Sequence, residues 1–334
     1  MKKTLLRVVL VIVILFGSLI AYISVAGNKD FDVPIPDNLH ASKDPAVIAR
    51  GKYLAFGPAH CASCHTPLAN KADIDQGKEM PLIGGWAVDI PPGKFRAGNL
   101  TPDEETGIGK LTDGQLVRAL RYSVNHNNKA MFPFMPFQEM SDEDVVALIS
   151  FLRSQEPVKN KIEPTEYSLL GKALITLGAF KPMPPVNTPP VSVPVDSSIA
   201  YGEYVAHRVA NCVGCHTERD LQTGKALGPL FAGGFKLPAD AMSEGYTFIT
   251  PNLTPDPETG IMGRWSEDAF IARFRKGRVF SGSQMPWGSF SRMSDLELKA
   301  VYRYLRTLQP VKNKIEKVAY APGVSSFIAG AEYA

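Results

Sequence analysis

Two copies of one five-residue motif carry the residue types best suited to bind a redox cofactor. The motif reads CASCH at residues 61–65 and CVGCH at residues 212–216, and the two copies contain all four cysteines of the chain. In a C-x-x-C-H motif both thiols can bond to a porphyrin edge, and the histidine can bind its iron. The sequence therefore predicts two covalently bound haem c groups. The predicted binding residues are Cys61, Cys64 and His65 for the first, and Cys212, Cys215 and His216 for the second.

Other uses of paired cysteines fit this spacing less well. In a four-cysteine zinc site the second pair usually follows the first after roughly 15 to 20 residues, whereas here the pairs lie in opposite halves of the 334-residue chain. A thioredoxin-like redox pair needs a βαβ context, and neither it nor a structural disulfide explains the two histidines. Covalent haem is the interpretation that uses every residue of the motif.

A second iron ligand is predicted for each haem from a repeated methionine. Met135 stands in the segment FMPF and Met285 in QMPW, at nearly equal distances after the two motif histidines. A thioether is a soft iron ligand that raises the reduction potential. The proline that follows favours an extended loop, which can present the side chain. The neighbouring alternatives are Met131, Met140 and Met293.

Two weaker expectations concern groups beside the haems. The repeated Pro81-Leu82 and Pro229-Leu230 could offer a proline carbonyl to the second nitrogen of the ligand histidine, or could form plain turns. The other histidines, which have no equivalent in the opposite half, are expected at the surface or in the core: His40, His60, His126 and His207. His126 could also approach the first haem, because it lies close in sequence to Met135.

The N-terminus predicts a membrane anchor or a cleaved signal peptide. After Lys2, Lys3 and Arg7, residues 8–26 contain no charge. As a helix this run spans roughly 28 Å, close to the ~30 Å hydrocarbon thickness of a bilayer. It exceeds the usual signal-peptide core of ~7 to 15 residues, which favours a retained anchor with its basic end in the cytoplasm. Ser24-Val25-Ala26 keeps signal cleavage open as the alternative.

The charge of the remaining chain is balanced. The formal net charge is +3, from 36 Lys and Arg against 33 Asp and Glu, and the three basic residues at the N-terminus account for the excess. Balanced composition gives no support for nucleic-acid binding.

The rest of the chain is an internal repeat. The segment NLTPD with a following ETGI occurs at residues 99 and 252, and PVKNKIE occurs at residues 157 and 310, at a near-constant offset. This period is too long for a solenoid repeat, so the repeat indicates duplication of one small domain. A proline-rich stretch at 182–194 separates the copies and predicts a stiff, extended connector.

Helix signals in both copies predict an all-α fold. Asp44 with Pro45, and Asp196 or Ser197, are expected to start the first helix of each copy. Ser141 and Ser294 precede apolar stripes at helical spacing and predict the last helices. No run of alternating β-branched residues predicts a sheet.

The order of these motifs resembles a known family. C-x-x-C-H, NLTPD, Met-Pro-aromatic and a Met-Ser-Asp helix start are similar to the class I cytochrome c domains in membrane-anchored multihaem subunits of periplasmic alcohol, aldehyde and gluconate dehydrogenases. The similarity covers about 43–180 and 196–320. It implies that electrons come from a separate flavin or quinoprotein dehydrogenase and pass to quinone or a terminal oxidase. Those subunits usually carry three haem domains, whereas this chain has two motifs.

The sequence as a whole predicts a dihaem c-type cytochrome of the cytoplasmic membrane, with its haem domains in the periplasm. Its function would be single-electron transfer, without a catalytic acid, base or nucleophile. A standalone shuttle to a terminal oxidase is one alternative. A dihaem cytochrome c peroxidase is another, although it needs one open iron and both halves here keep the Met-Pro-aromatic segment. The predicted segments are an anchor or signal peptide at 1–27, cytochrome c domains at 43–165 and 196–320, a connecting segment with the linker at 166–195, and a tail at 321–334.

Overall fold

The computed structural model describes residues 2–220 and 225–322, and most of their regular structure is helical. The predicted tail lies outside the described residues from residue 323 onward. The helices are α1 Lys2–Ala26, α2 Pro45–Phe56, α3 Ala62–His65, α4 Lys71–Asp75, α5 Asp113–Tyr122, α6 Asp142–Ser154, α7 Leu169–Thr176, α8 Ile199–Tyr204, α9 Cys212–Cys215, α10 Ile261–Arg264, α11 Glu267–Arg275, α12 Trp287–Phe290 and α13 Asp295–Arg306. A 3₁₀ turn covers Leu68–Asn70, and a π-helical turn, Val205–Val209, continues α8.

Two small antiparallel sheets correct the prediction of an all-α fold. Their strands are β1 Ala87–Ile90, β2 Gly93–Arg96 and β3 Glu166–Tyr167 in the first half, and β4 Lys236–Leu237, β5 Thr247–Ile249 and β6 Ala319–Tyr320 in the second. The strand orders are β1-β2-β3 and β4-β5-β6. Strands of two to four residues are too short to show an alternating pattern, and the third strand of each sheet returns from much later in the chain.

The first and last long helices of each half cross closely at a repeated glycine. A Cβ atom on Gly51 of α2 would come within 1.8 Å of the Ala147 carbonyl oxygen of α6. A Cβ on Gly202 of α8 would come within 1.9 Å of the Ala300 carbonyl oxygen of α13. Only glycine permits this approach, so the two repeated glycines set the helix crossings around which each core is built.

The helix starts agree with the sequence signals, with one shift. Asp44 accepts a hydrogen bond from the Ala46 N–H, with Pro45 in the first turn of α2. Ser141 and Ser294 cap α6 and α13 through the N–H three residues later. In the second half, Ser198 is the N-cap of α8, rather than Asp196 or Ser197.

Two tyrosines at equivalent repeat positions join the halves reciprocally. The Tyr53 hydroxyl accepts the Ser294 N–H at 2.8 Å, and the Tyr204 hydroxyl accepts the Ser141 N–H at 3.0 Å. Each hydroxyl also donates to a carboxylate in the first turn of that same helix, Tyr53 to Glu297 and Tyr204 to Asp144. Each half therefore completes the start of the last helix of the other half.

The proline-rich segment packs against the start of α6. The Pro190 carbonyl accepts the Asp142 N–H at 2.9 Å, and the Val191 carbonyl accepts the Glu143 N–H at 3.0 Å. These are first-turn N–H groups that have no partner within the helix.

Candidate haem sites

Each C-x-x-C-H motif folds into a single helical turn. The His65 N–H donates to the Cys61 carbonyl, and the His216 N–H donates to the Cys212 carbonyl, both at 2.9 Å. Residues three and four positions apart lie on one helix face. The turn therefore places both thiols and the imidazole of each motif on the same side.

The second ring nitrogen of each histidine is held by a backbone carbonyl. His65 Nδ1 lies 2.8 Å from the Gly98 oxygen, and His216 Nδ1 lies 3.0 Å from the Pro251 oxygen. Because a carbonyl can only accept, Nδ1 carries the proton and Nε2 keeps the lone pair that an iron needs. Desolvation lowers the pKa of both histidines, which favours this neutral form.

The carbonyls of Pro81 and Pro229 accept backbone N–H groups and do not bind the motif histidines. The Pro81 carbonyl accepts the Ile83 N–H at 2.8 Å, and the Pro229 carbonyl accepts the Ala232 N–H at 3.3 Å. Both segments are plain turns. The histidine acceptors instead directly precede Asn99 and Asn252 of the repeated NLTPD segments.

Those two asparagines have the same role in both copies of the NLTPD segment. Asn99 Oδ1 accepts the Thr101 N–H at 2.9 Å, while its Nδ2 donates to the Val158 carbonyl at 2.8 Å. Asn252 makes the matching bonds to Thr254, at 2.9 Å, and to the carbonyl of Val311, at 2.7 Å. The asparagine thus ties the histidine-binding loop to the repeated PVKNKIE segment.

In each half, a glycine with a positive φ brings the histidine-binding loop against the C-x-x-C-H motif. Gly84 has φ +79° and Gly233 has φ +71°, and their N–H groups donate to the His65 and His216 carbonyls, both at 2.8 Å. A Cβ on Gly84 would come within 2.6 Å of the Ala97 oxygen, next to the acceptor Gly98. Close backbone approach at this point needs glycine.

The cysteine thiols remain protonated in these surroundings. The four cysteines form no disulfide. Burial raises the pKa of Cys61, Cys64 and Cys212 to about 12, and also raises that of Cys215. Neutral thiols with no partner sulfur fit residues that are to be joined to a porphyrin.

In the second half, one cleft gathers every predicted haem residue. Its lining includes Cys212, Cys215, His216 and Met285, and its volume is about 1100 Å³ including the open mouth. Most of the remaining wall is apolar, with large side chains from α11 and α12 and from the segment between α10 and α11: Trp265, Phe270, Phe274, Trp287 and Phe290. An apolar cleft with two thiols, one imidazole and one thioether fits haem c in its donor set and its apolar character.

In the first half, aromatic contacts connect the methionine loop to the motif. Met135 is partly buried against the core. The ring of Phe134 lies 5.3 Å from that of Trp86, and the backbone N–H of Trp86 donates to the Cys64 carbonyl at 3.3 Å. Phe134 and Trp86 therefore link the Met135 loop to the first motif.

The alternative methionines have other surroundings. Met140 and Met293 are almost completely enclosed, at 0% and 3% exposure, and belong to the hydrophobic core. Met131 is partly buried and its N–H donates to the Ser123 carbonyl.

His60 is the site residue that the sequence interpretation missed. It belongs to the first half but lines the cleft of the second, with its ring 5.3 Å from that of Phe290. No local signal distinguishes it from a surface histidine, because its position depends on the packing between the halves. His207 instead contacts the Tyr304 hydroxyl at 2.6 Å. His126 is exposed, and desolvation and Arg118 lower its pKa.

Contacts between the halves also connect the two sites. Ser63, between the cysteines of the first motif, lies 3.3 Å from Ser289 of α12, just after the Met285 segment. A Cβ on Gly288 would come within 2.6 Å of the Asp75 carboxylate of α4. The first motif and α4 therefore pack against the helix that follows Met285.

Histidines fixed by backbone carbonyls beside paired thiols fit the binding of haem c. Residues 48–156 match the Cytochrome c family, so this part of the chain is a cytochrome c domain. That family assignment implies covalently bound haem c and a role in electron transport.

Curated relatives extend the similarity over most of the chain. The alcohol dehydrogenase (quinone) cytochrome c subunit of Gluconobacter oxydans (strain 621H) is 31% identical over 281 residues, covering 80% of this chain and 56% of that protein. The gluconate 2-dehydrogenase cytochrome c subunit of Pantoea cypripedii is 31% identical over 278 residues, covering 79% and 60%. A diheme cytochrome c-type protein of Cereibacter sphaeroides is 25% identical over 272 residues, covering 79% and 86%. The chain therefore spans somewhat more than half the length of the two dehydrogenase subunits.

Proposed function

We propose that this protein is a membrane-anchored dihaem c-type cytochrome that transfers single electrons. It would consist of two tandem class I cytochrome c domains, at 43–165 and 196–320, joined by the connecting segment at 166–195. The repeated helix crossings, sheets and asparagine bonds support one domain plan used twice. The observation that carries the proposal is the second cleft, which brings Cys212, Cys215, His216 and Met285 together.

The chain's own residues would tether, ligate and orient the haems. Cys61 and Cys64 would hold the first haem and Cys212 and Cys215 the second. His65 with Met135, and His216 with Met285, would be the iron ligands. When bound, haem c supplies a one-electron iron couple. The Gly98 and Pro251 carbonyls would fix each imidazole and increase its electron donation.

We infer the redox partners from the relatives. Cytochrome subunits of alcohol and gluconate dehydrogenases are similar to this chain, which supports a flavin or quinoprotein dehydrogenase as electron donor. Quinone or a terminal oxidase would be the acceptor. A standalone shuttle remains the alternative, and co-purification with a dehydrogenase from the native membrane would separate the two.

We place the haem domains in the periplasm, on a single span of the cytoplasmic membrane. Helix α1 is 25 residues long with a mean hydropathy of 2.9 over its most apolar window, and none of that window is buried in the protein. Such a helix is long enough to cross a bilayer. Its basic N-terminal end would stay in the cytoplasm.

Haem stoichiometry tests the central claim. The purified protein should keep two haems per chain after acid-acetone extraction, measured as the pyridine haemochrome. Replacing Cys61 and Cys64 by serine should leave one, and so should replacing Cys212 and Cys215. Loss of all haem from the wild-type protein into the solvent, or a wild-type stoichiometry of one, would contradict the proposal.

A second assay separates a carrier from a peroxidase. If both irons are closed by methionine, the reduced protein should bind carbon monoxide poorly and should reduce hydrogen peroxide only slowly. Rapid peroxide turnover with a high-spin signal at one iron would instead indicate a peroxidase.

A further inference from the structure

Helix α7 carries an apolar stripe that is exposed at both ends and partly buried in the middle. Leu170, Ala173, Leu174 and Leu177 follow the spacing of one helix face, with Leu177 just after the helix end. Leu170 is 49% exposed and Leu177 is 80% exposed. On another face, Gly171 and Ile175 are buried. The helix is thus anchored to the protein and leaves leucines uncovered.

This stripe lies beside the predicted membrane helix. Helix α7 packs against α1. Gly27, directly after α1, is buried, and a Cβ on it would come within 2.4 Å of the Lys172 Cβ. Ile20 and Ile23, which lie within the charge-free run of α1, are partly covered. Because that run ends at Ala26, α7 lies level with the outer end of the apolar span.

We propose that α7 is a second membrane contact, with the leucine stripe inserted into the outer edge of the bilayer that α1 spans. The proposal rests on α1 being a retained anchor. Lipid is the expected occupant because the stripe continues from a helix whose own apolar residues are exposed along most of its length. Lys181, which is exposed just after α7, can reach lipid phosphates as interfacial lysines do.

Two membrane contacts, α1 and α7, would restrict how the first half can rotate relative to the bilayer. A single span lets the attached domain rotate about the point where the chain leaves the bilayer. A helix held in the interface beside that point fixes which face of the first half is directed toward the membrane.

Carbene labelling from within the bilayer tests the proposal. The full chain with both haems is placed in nanodiscs of phosphatidylethanolamine and phosphatidylglycerol, one copy per disc, together with a lipid-dissolved diazirine. After photolysis, mass spectrometry maps the labelled residues. We expect labels on α1 and on the Leu169–Leu177 peptide. The double variant Leu170→Ser/Leu177→Ser should lower α7 labelling several-fold and leave α1 labelling unchanged, whereas Leu227→Ser, at an exposed leucine of the second half, should change neither.

The outcomes distinguish this inference from the anchor itself. Labelled α1 with unlabelled α7 would overturn the membrane contact of α7 and leave the anchor standing. If neither is labelled, the anchor is wrong and the inference falls with it. Equal α7 labelling in the wild type and the double serine variant would show that the stripe is not the part in contact with lipid.

Discussion

Replacing Asn252 by leucine should raise the reduction potential of the proposed second haem alone. The side chain is 1% exposed and holds Thr254 and the Val311 carbonyl, directly after the Pro251 carbonyl that binds His216. Leucine has a similar size but makes none of these bonds. The loop should loosen, the His216 hydrogen bond should weaken, and the imidazole should donate less electron density to the ferric iron.

The hydrogen bonds of Asn252 set the expected size of two effects, the loss of unfolding free energy and the shift in reduction potential. Asn252 accepts the Thr254 N–H and hydroxyl at 2.9 and 2.8 Å and donates to Val311 at 2.7 Å. The Thr254 hydroxyl keeps a partner in the Val311 N–H at 3.1 Å, so the main buried orphan is the Thr254 N–H. Lost bonds and that orphan together cost about 2–4 kcal/mol of unfolding free energy. A change of about 1 kcal/mol in favour of the ferrous state corresponds to about 40 mV for one electron.

The repeat supplies a matched control in the same chain. Asn99→Leu should destabilise the protein similarly, but it should raise the potential of the first haem. Spectroelectrochemical titration of the wild type and both variants, with denaturant unfolding in parallel, measures the potentials and the stabilities.

Two results would refute the reasoning. A destabilised Asn252→Leu protein with both potentials unchanged would show that the asparagine does not position the histidine acceptor. Equal shifts of both haems in each single variant would show that the effect is not local to one loop.

The remaining predictions concern the ligands and the contact between the halves. Met135→Ala or Met285→Ala should abolish the red-region sulfur-to-iron band of one oxidised haem and lower that haem's potential; an unchanged spectrum would assign the ligand elsewhere. Arg50→Met should cost about 3–5 kcal/mol in denaturant unfolding, because it leaves the Asp144 and Glu297 carboxylates buried without their cation. Adding Glu297→Gln should recover part of that loss, and no recovery would contradict the charge explanation. Burial and the Asp144 carboxylate raise the pKa of Tyr204 above its ordinary value, so its stabilising contribution is complete below pH about 10 and is lost at higher pH. Tyr204→Phe should therefore flatten the fall of unfolding free energy above pH 10, and an unchanged slope would exclude Tyr204 as its source.

The sequence predicts the elements that depend on local pattern. The N-cap of α2 at Asp44, the last helices after Ser141 and Ser294, and the apolar N-terminal helix all follow from residues within a few positions of one another. The third strand of each sheet does not, because β3 and β6 pair with strands far away in the chain. These two strands form only when the two ends of each half meet.

The same distinction between local pattern and long-range contact holds for the candidate haem sites. The thiols and histidines are visible in the motifs because the haem attachment that we propose requires a fixed spacing. The repeat marks NLTPD as important, but its role beside the histidine becomes evident only when Asn99 and Asn252 are seen to bind the PVKNKIE segment. Of the two alternatives left open for Pro81 and Pro229, the structure shows the plain turn, for a similar reason. Which carbonyl faces the imidazole depends on the turn made by Gly84 and Gly233 rather than on proximity in sequence.

The contact between the halves makes the second site dependent on the first. His60 forms part of the second cleft, and Asp75 both abuts Gly288 and pairs with Arg278 at 2.5 Å. These contacts come from the residue directly before the first motif and from α4, and they reach the segment that carries Met285. The tyrosine contacts at α6 and α13 are made in both directions between the halves. The contacts of His60 and Asp75, in contrast, are made by the first half with the site of the second. The two halves therefore need not give equal surroundings to the two proposed haems, because one cleft includes residues of both halves.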